Sequence, residues 1–335
     1  MCVIASSTAL TRLSEWPRLK LANLPTPIRP LARLAEALGR PELDLLVKLD
    51  SETGFGLGGN KVRKLEFELA PERLEGITCL ITAGGPQSNH CRVTAAAAAR
   101  LGLRCALIVN GPEPETPTGN ALLHRLFGAE IVTVPERQDR STQLQSTAVD
   151  IEMEGGHPLV IPIGASTGLG SLGYADACIE LFKQLANQKP PPERTVVFVA
   201  SSSCGTLAGL LLGISLLELN NVLLVGVSAD MSAIEIEENT QQIAHEGTDL
   251  LGWNGALLTD SVKAIDDQVG DGYGLSTESS DEALRMFALH EGLVLDPTYT
   301  AKAAAGLISW VRTGMVSDLD RVVFLHTGGH PGLLT

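Results

Sequence analysis

Gly58-Gly59-Asn60-Lys61-Val62-Arg63-Lys64-Leu65-Glu66 follows an aliphatic strand candidate, Leu43 to Asp50, and opens a run able to form a helix through about Leu69. Two glycines and an asparagine make a tight turn with exposed backbone, and the residues after it can start a helix. Strand, glycine turn and helix form one unit of an α/β chain. Lys61 then stands at or near a helix N-terminus, where anions are favoured and a lysine has nothing to gain from the dipole. Lys64, three residues on, shares its face. One amine could form a Schiff base with an aldehyde while the other meets a phosphate on the same ligand. A solvated basic turn would use the same residues, so the rest of the chain has to decide.

Upstream, Leu21 to Pro30 carries three prolines and reads as an extended lead-in, and Leu31 to Leu38 as a short helix ended by Gly39. Downstream, strand and helix alternate. Cys79 to Thr82 precedes Gly84-Gly85, the alanine-rich Val93 to Leu101 is a helix stopped by Gly102, and Cys105 to Val109 is the next strand. Helix Asn120 to Phe127, strand Ile131 to Val134, helix Ser141 to Met153, strand Leu159 to Ile163 and helix Ser171 to Ala186 follow, then a surface break at Lys189 to Pro192. A second run repeats the alternation: strand Thr195 to Ala200, helix Thr206 to Leu217, strand Val222 to Val227 and helix Ala233 to His245. Gly247 to Gly274 reads as irregular, Asp281 to His290 and Lys302 to Val311 as helices, and Arg321 to His326 as a closing strand. The expected class is α/β, two-lobed, with three-layer parallel sheets covered by helices on both faces. Ligands of such sheets bind at the carboxyl ends of the strands.

Composition narrows the function. The 335 residues suffice for two ordinary domains or one large α/β unit, and hydrophobic residues at 44% with aromatics at 4% call for a largely aliphatic core. Thirty-nine acidic against 25 basic residues leave a net charge of -14, with no basic run, which argues against nucleic acid as a partner. The six cysteines are scattered without metal-like spacing and suit a reducing compartment. Met1 to Lys20 makes a poor signal peptide, and no apolar stretch reaches the roughly 18 residues of a membrane span. The expected location is the cytoplasm.

Three further stretches fall after strands. In Gln87-Ser88-Asn89-His90, Ser88 or Asn89 can cap the alanine-rich helix. A cap does not need four polar residues after Gly-Gly-Pro, and as a ligand loop the same residues would hold a carboxylate on free N–H groups. There Asn89 would meet a phenolic oxygen and Ser88 would carry a proton. Ser201-Ser202-Ser203-Cys204-Gly205-Thr206-Leu207-Ala208-Gly209 has the small residues of a phosphate cradle at a helix start, without the nucleotide-loop motifs. Asp296-Pro297-Thr298-Tyr299-Thr300 and Thr327-Gly328-Gly329-His330 lie near the C-terminus, with Tyr273 between two glycines. Two of the chain's three tyrosines thus sit among turn residues, and His326 with His330 reads as structural rather than as a metal pair.

Taken in order, GGNKVRKLE, QSNH, SCGTLAG, GYG, LDPTYTAKAAAGL and HTGGHPG resemble the D-cysteine desulfhydrase and 1-aminocyclopropane-1-carboxylate deaminase family of pyridoxal-phosphate enzymes, from about Leu21 to Leu334. The resemblance implies the tryptophan-synthase-β-like fold, usually as a homodimer. Residues 56–164 would form a smaller lobe inserted in a larger one made of 1–55 and 165–335. It implies pyridoxal 5'-phosphate as cofactor and a small amino acid as substrate. Lys61 matches the Schiff-base lysine and Lys64 the lysine near the phosphate. Asn89 matches the asparagine on the phenolic oxygen, Ser88 the serine that handles substrate or its proton, and His90 lies in the loop holding the substrate carboxylate. Cys204, Gly205, Thr206, Leu207 and Ala208 overlie the phosphate loop, and Tyr273 and Tyr299 the two active-site tyrosines.

The chain departs from the deaminase at Thr300 and Thr327, where that enzyme has glutamate and leucine. A threonine hydroxyl facing the pyridine nitrogen donates to a neutral nitrogen and leaves a weaker electron sink. Opening a cyclopropane needs the stronger sink; expelling hydrosulfide does not. The expected reaction is therefore β-elimination, most readily of D-cysteine to pyruvate, ammonia and hydrogen sulfide. The cyclopropane deamination and an L-cysteate sulfo-lyase remain alternatives, as does a two-lobed amino-acid-binding protein without chemistry. A sensor of that kind would have no use for a Schiff-base lysine.

Overall fold

The computed structural model describes residues 2–186 and 191–335, with side chains from residue 7 onward. Helix α1 (Cys2–Glu15), strand β1 (Ile28–Pro30), α2 (Ala32–Ala37) and β2 (Asp44–Lys48) lead into α3 (Asn60–Glu68). Then come β3 (Cys79–Gly84), α4 (Asn89–Leu101), β4 (Arg104–Asn110), α5 (Gly119–Leu126), β5 (Glu130–Val134), α6 (Arg140–Met153), β6 (Pro158–Val160) and α7 (Gly168–Leu185). The second run is β7 (Arg194–Ser201), α8 (Gly205–Leu216), β8 (Val222–Ser228), α9 (Ala233–Leu251) and β9 (Val262–Ile265). Helices α10 (Glu278–Glu291) and α11 (Thr300–Arg312) and strand β10 (Asp320–Leu325) complete the order.

The strands form two sheets, in the orders β1-β2-β10-β7-β8-β9 and β5-β4-β3-β6. All neighbours run parallel except the β1–β2 edge pair. Strand periodicity sorts the aliphatic side chains to opposite faces. Leu46, Val323, Val197 and Leu224 are register partners across four strands of the larger sheet and pack with α7 and α8. Their neighbours Val47, Phe324, Val196 and Val225 face the other way, onto α2, α10 and α11. In the smaller sheet Leu80 and Leu107 meet α3 and α4, whereas Cys79, Ile81 and Ala106 meet α6. Both sheets are therefore sandwiched between helices, as their near-continuous apolar strands require.

Helix α4 illustrates the local logic. Ser88 caps it through a bond from Cys91 N at 3.2 Å, five consecutive alanines fill its middle, and Gly102 ends it in the left-handed conformation. It begins four residues before the expected Val93, so that Asn89 and His90 stand on its first turn. Gly59 and Gly328 bring the starts of α3 and of the loop after β10 into backbone contact. Both have positive φ (107° and 94°), and a Cβ on Gly328 would lie 2.8 Å from Gly59 Cα. Only glycine fits there.

Several expectations need correction. The stretch Gly247 to Gly274 is not irregular throughout: α9 continues to Leu251 and β9 adds an edge strand. Gly247 sits inside the helix because a Cβ there would meet Leu212 at 2.8 Å; Gly252, left-handed, is the residue that ends it. The strand expected to reach Ile163 stops at Val160, since Gly164 at φ 72° turns the chain. The N-terminal helix α1 was not anticipated. Of the break at Lys189 to Pro192, Lys189 and Pro190 lie outside the described residues. Among the described residues no helix is long and apolar enough to cross a membrane.

Candidate active site

A cavity of about 560 Å³ opens where the carboxyl ends of β3, β7 and β10 meet. Lys61, second residue of α3, lines it. Burial lowers the Lys61 pKa to about 8, with Lys64 and Cys204 pulling the other way. Lys64 is fully buried, and burial followed by the neighbouring Lys61 charge lowers its pKa well below the ordinary value. Two ammonium groups side by side in a desolvated pocket repel, so one amine stays neutral.

Lys64 reaches the cavity through Ser166. Its Nζ donates to Ser166 Oγ at 3.0 Å, and Ser166 donates to Ser203 Oγ at 2.8 Å. Gly205 N also points at Ser166 Oγ, at 3.3 Å. Asn60 Nδ2 donates to Thr206 Oγ1 at 3.0 Å from the facing turn. The N–H groups of Thr206 and Leu207 precede the first full turn of α8 and remain free for an acceptor. Cys204 enters this loop at φ 62°, and a Cβ on Gly205 would strike Ser166 Oγ at 2.8 Å. Hydroxyls, free amides, a helix start and a buried lysine converge as a phosphate needs. The cradle fits the cofactor that the sequence resemblance implies. Ala208 drops out of it: its amide is committed to Cys204 O at 2.9 Å and its side chain, like that of Leu207, belongs to the sheet core.

Ser88, Asn89 and His90 all line the cavity. Asn89 Oδ1 accepts from Asn120 Nδ2 at 2.9 Å and from Arg92 Nη2 at 3.4 Å, which leaves its NH2 for the cavity. His90 bonds Thr82 Oγ1 at 2.8 Å, and burial next to Lys61 and Lys64 keeps the imidazole neutral. Tyr273 and Tyr299 share a hydrogen bond between their hydroxyls, with rings edge to face at 5.8 Å. Burial raises both phenol pKa values.

Thr300 corrects the sequence reading. Its hydroxyl is fully buried, outside the cavity, donating to Asp296 Oδ1 at 2.6 Å and accepting from Asp296 N at 2.7 Å. A residue opening a helix beside an N-terminal aspartate is drawn into the cap, not toward a ligand. Thr327 does line the cavity. The carboxylate at this wall is Asp296, and it too is engaged, accepting the amides of Thr298, Tyr299 and Thr300.

Sequence reasoning missed Asn60, Ser166, Asp296, Arg137 and Arg140, which all adjoin the cavity or its cradle. Ser166 follows a strand and could have been found by the same rule that found Ser88. The two arginines follow β5, whose loop offered no motif.

The chain matches the family described as "Pyridoxal-phosphate dependent enzyme" over residues 19–328. It is 39% identical to the D-cysteine desulfhydrases of Salmonella choleraesuis (strain SC-B67) and Salmonella newport (strain SL254), over 97% of either chain. Among solved structures it is similar to an ACC deaminase homologue, with TM-score 0.86, 32% identity and coverage of 98% of this chain and 96% of that one. The processed form of threonine deaminase isoform 2 from Solanum lycopersicum shares the fold at 15% identity, TM-score 0.66, over 97% of this chain and 84% of that one.

Proposed function

Because the chain belongs to the pyridoxal-phosphate dependent enzyme family, we propose that it is a lyase acting by β-elimination on a small amino acid, D-cysteine foremost, to give pyruvate, ammonia and hydrogen sulfide. The observation that carries the reading is Lys61, an amine with a pKa of about 8 lining the cavity beside a phosphate-shaped cradle. Likeness along nearly the whole chain to D-cysteine desulfhydrases supports the choice of substrate.

Ser166, Ser203, Thr206 and the amide of Leu207 would hold the cofactor's phosphate, with Lys64 donating to Ser166 from behind. Lys61 would hold its aldehyde end and the Asn89 NH2 its phenolic oxygen. Bound there, the cofactor supplies an electron sink that acidifies the α-proton of an amino acid. Lys61, once its nitrogen is free, is the base within reach of that proton. The amides at the start of α4 and the Ser88 hydroxyl would receive the substrate carboxylate and pass a proton. Tyr273 and Tyr299, hydrogen-bonded through their hydroxyls, would lend a proton to a departing sulfur. Thr327 is the threonine left to face the ring nitrogen, and Asp296 is held in its cap. Among the described residues the cavity then offers no free carboxylate for a strong sink, which favours expulsion of sulfur over opening of a cyclopropane.

The test is release of pyruvate and sulfide in equal amounts from D-cysteine by the purified holoenzyme, against 2-oxobutyrate from 1-aminocyclopropane-1-carboxylate. Borohydride reduction followed by peptide mass analysis should put the cofactor on Lys61; label on another lysine, or none, would refute the assignment. The reading extends to a cytoplasmic homodimer with lobes divided at 55/56 and 164/165. Five buried free cysteines fit a reducing compartment, and sedimentation velocity would measure the assembly.

A further inference from the structure

We propose that the cavity contains a second anion site, built on Arg140, for a negatively charged β-substituent of the substrate such as a sulfonate or thiolate. The inference rests on the lyase reading above and adds a leaving-group preference to it. Arg140 is only 7% exposed and lines the cavity. Its Nε donates to Arg137 O at 2.9 Å, and among the described residues it has no carboxylate partner. Burying a guanidinium without a counter-ion is costly. Arg140 is also the first residue of α6, whose N-terminal end already carries positive potential. The acid at this helix start, the N-cap Asp139, accepts the Glu136 amide at 3.0 Å and makes no ion pair with Arg140. Its neighbour Arg137 has a partner, Asp230 Oδ2 at 2.7 Å, and lies 5.3 Å over the Tyr273 ring. The terminal nitrogens of Arg140 are thus a planar fork of donors with nothing to hold but a ligand.

The other anions of the reaction have their own places. The phosphate has the cradle on α8, and the α-carboxylate has the start of α4. Tyr273 joins the arginine wall to that substrate loop: a Cβ on Gly85 would come within 4.0 Å of both Tyr273 and Asn110. A third negative group, on Cβ, is what remains for Arg140. In the elimination the α-proton passes to the enzyme base and the Cβ–S bond breaks with its electron pair on sulfur. With cysteate and one water the products are pyruvate, ammonium and bisulfite. A fixed guanidinium beside the sulfur stabilises the charge that collects on it.

Steady-state rates of 2-oxo-acid release by the holoenzyme test this with both enantiomers of cysteate, cysteine and β-chloroalanine. Arg140→Gln should raise KM for cysteate about tenfold or more, the loss expected of one hydrogen bond to a charged group. β-Chloroalanine, uncharged at Cβ, should change less than about twofold, and Arg140→Lys should recover part of the difference. Competitive inhibition by aspartate should weaken in Arg140→Gln while that by alanine holds, with the visible cofactor band and circular dichroism unchanged. Equal losses for charged and neutral substrates, or aspartate inhibition that survives in Arg140→Gln, overturn the inference and leave the lyase reading standing. A wild type that releases 2-oxo acid from none of these substrates overturns the lyase reading, and the inference with it.

Discussion

Lys61 is a reactive amine because of where it is buried. Desolvation disfavours its ammonium form and outweighs Lys64 and Cys204, which favour it. Only the neutral amine attacks an aldehyde, so uptake of pyridoxal phosphate by the apoenzyme, followed by visible absorbance, should rise with pH and level off above about 8. Linkage gives the sign for stability. The folded pKa lies below the ordinary 10.5, so the unfolded chain binds this proton more tightly, and stability rises with pH between about 8 and 10.5. Below that window the whole penalty is present, and Lys61→Met should raise the apoenzyme's melting temperature at pH 7. The same residue gives the largest activity effect: Lys61→Ala should cut pyruvate release by roughly 10³-fold or more. A variant that keeps near wild-type turnover would show that the base is elsewhere.

At the scale of elements, helix starts decide which polar residues face the cavity. The start of α4 leaves Asn89 an NH2 to offer because Asn120 and Arg92 occupy its oxygen. The start of α11 does the opposite, since Asp296 draws Thr300 into the cap and leaves Tyr299 to face outward. Thr300→Ala should therefore cost about 1 kcal/mol of stability, as loss of a cap bond does, and leave the holoenzyme's visible band where it is. Thr327→Ala should shift that band, because Thr327 lines the cavity. The reverse pattern would restore the reading made from sequence. That reading erred because LDPTY places Tyr299 and Thr300 side by side, and only the cap turns one in and the other out.

Across the whole molecule, Arg63 joins the lysine-bearing helix to the larger sheet. Its guanidinium donates to Asp50 Oδ1 and Oδ2 at 2.9 and 2.8 Å and to Glu180 Oε1 at 2.9 Å, with both Arg63 and Asp50 essentially unexposed. Tyr174 adds its hydroxyl to Asp50 at 2.6 Å, and Lys48 ion-pairs with Glu180. Asp50, Arg63 and Glu180 belong to the turn after β2, α3 and α7, so the cluster ties the helix that carries Lys61 to the larger sheet and to α7. Burial pushes the Asp50 carboxyl up, but Arg63, Tyr174 and Thr26 outweigh it and leave its pKa below 3.8. That stabilisation is complete above the ordinary carboxylate value and is lost as pH falls through the lower folded one. Arg63→Met, which strands a buried carboxylate, should cost about 3–5 kcal/mol in denaturant unfolding. Asp50→Asn should flatten the acid limb of the stability profile; an unchanged limb would mean that other carboxylates control it.

The sequence by itself determined the α/β class, most of the order of elements (α1 and β9 excepted) and the candidacy of Lys61, Ser88, Asn89, Tyr273 and Tyr299. These follow from local chemistry: aliphatic periodicity, glycine turns and polar residues placed directly after strands. Tertiary structure alone decided that Ser166 stands between Lys64 and the phosphate cradle, 102 residues away in the chain. It also decided that Thr300 turns inward, that Gly247 packs rather than terminates, and that Arg140 lines the cavity without a counter-ion among the described residues. Each of these depends on which groups meet across two sheets, and burial sets the partner and charge of a side chain only once that meeting is fixed.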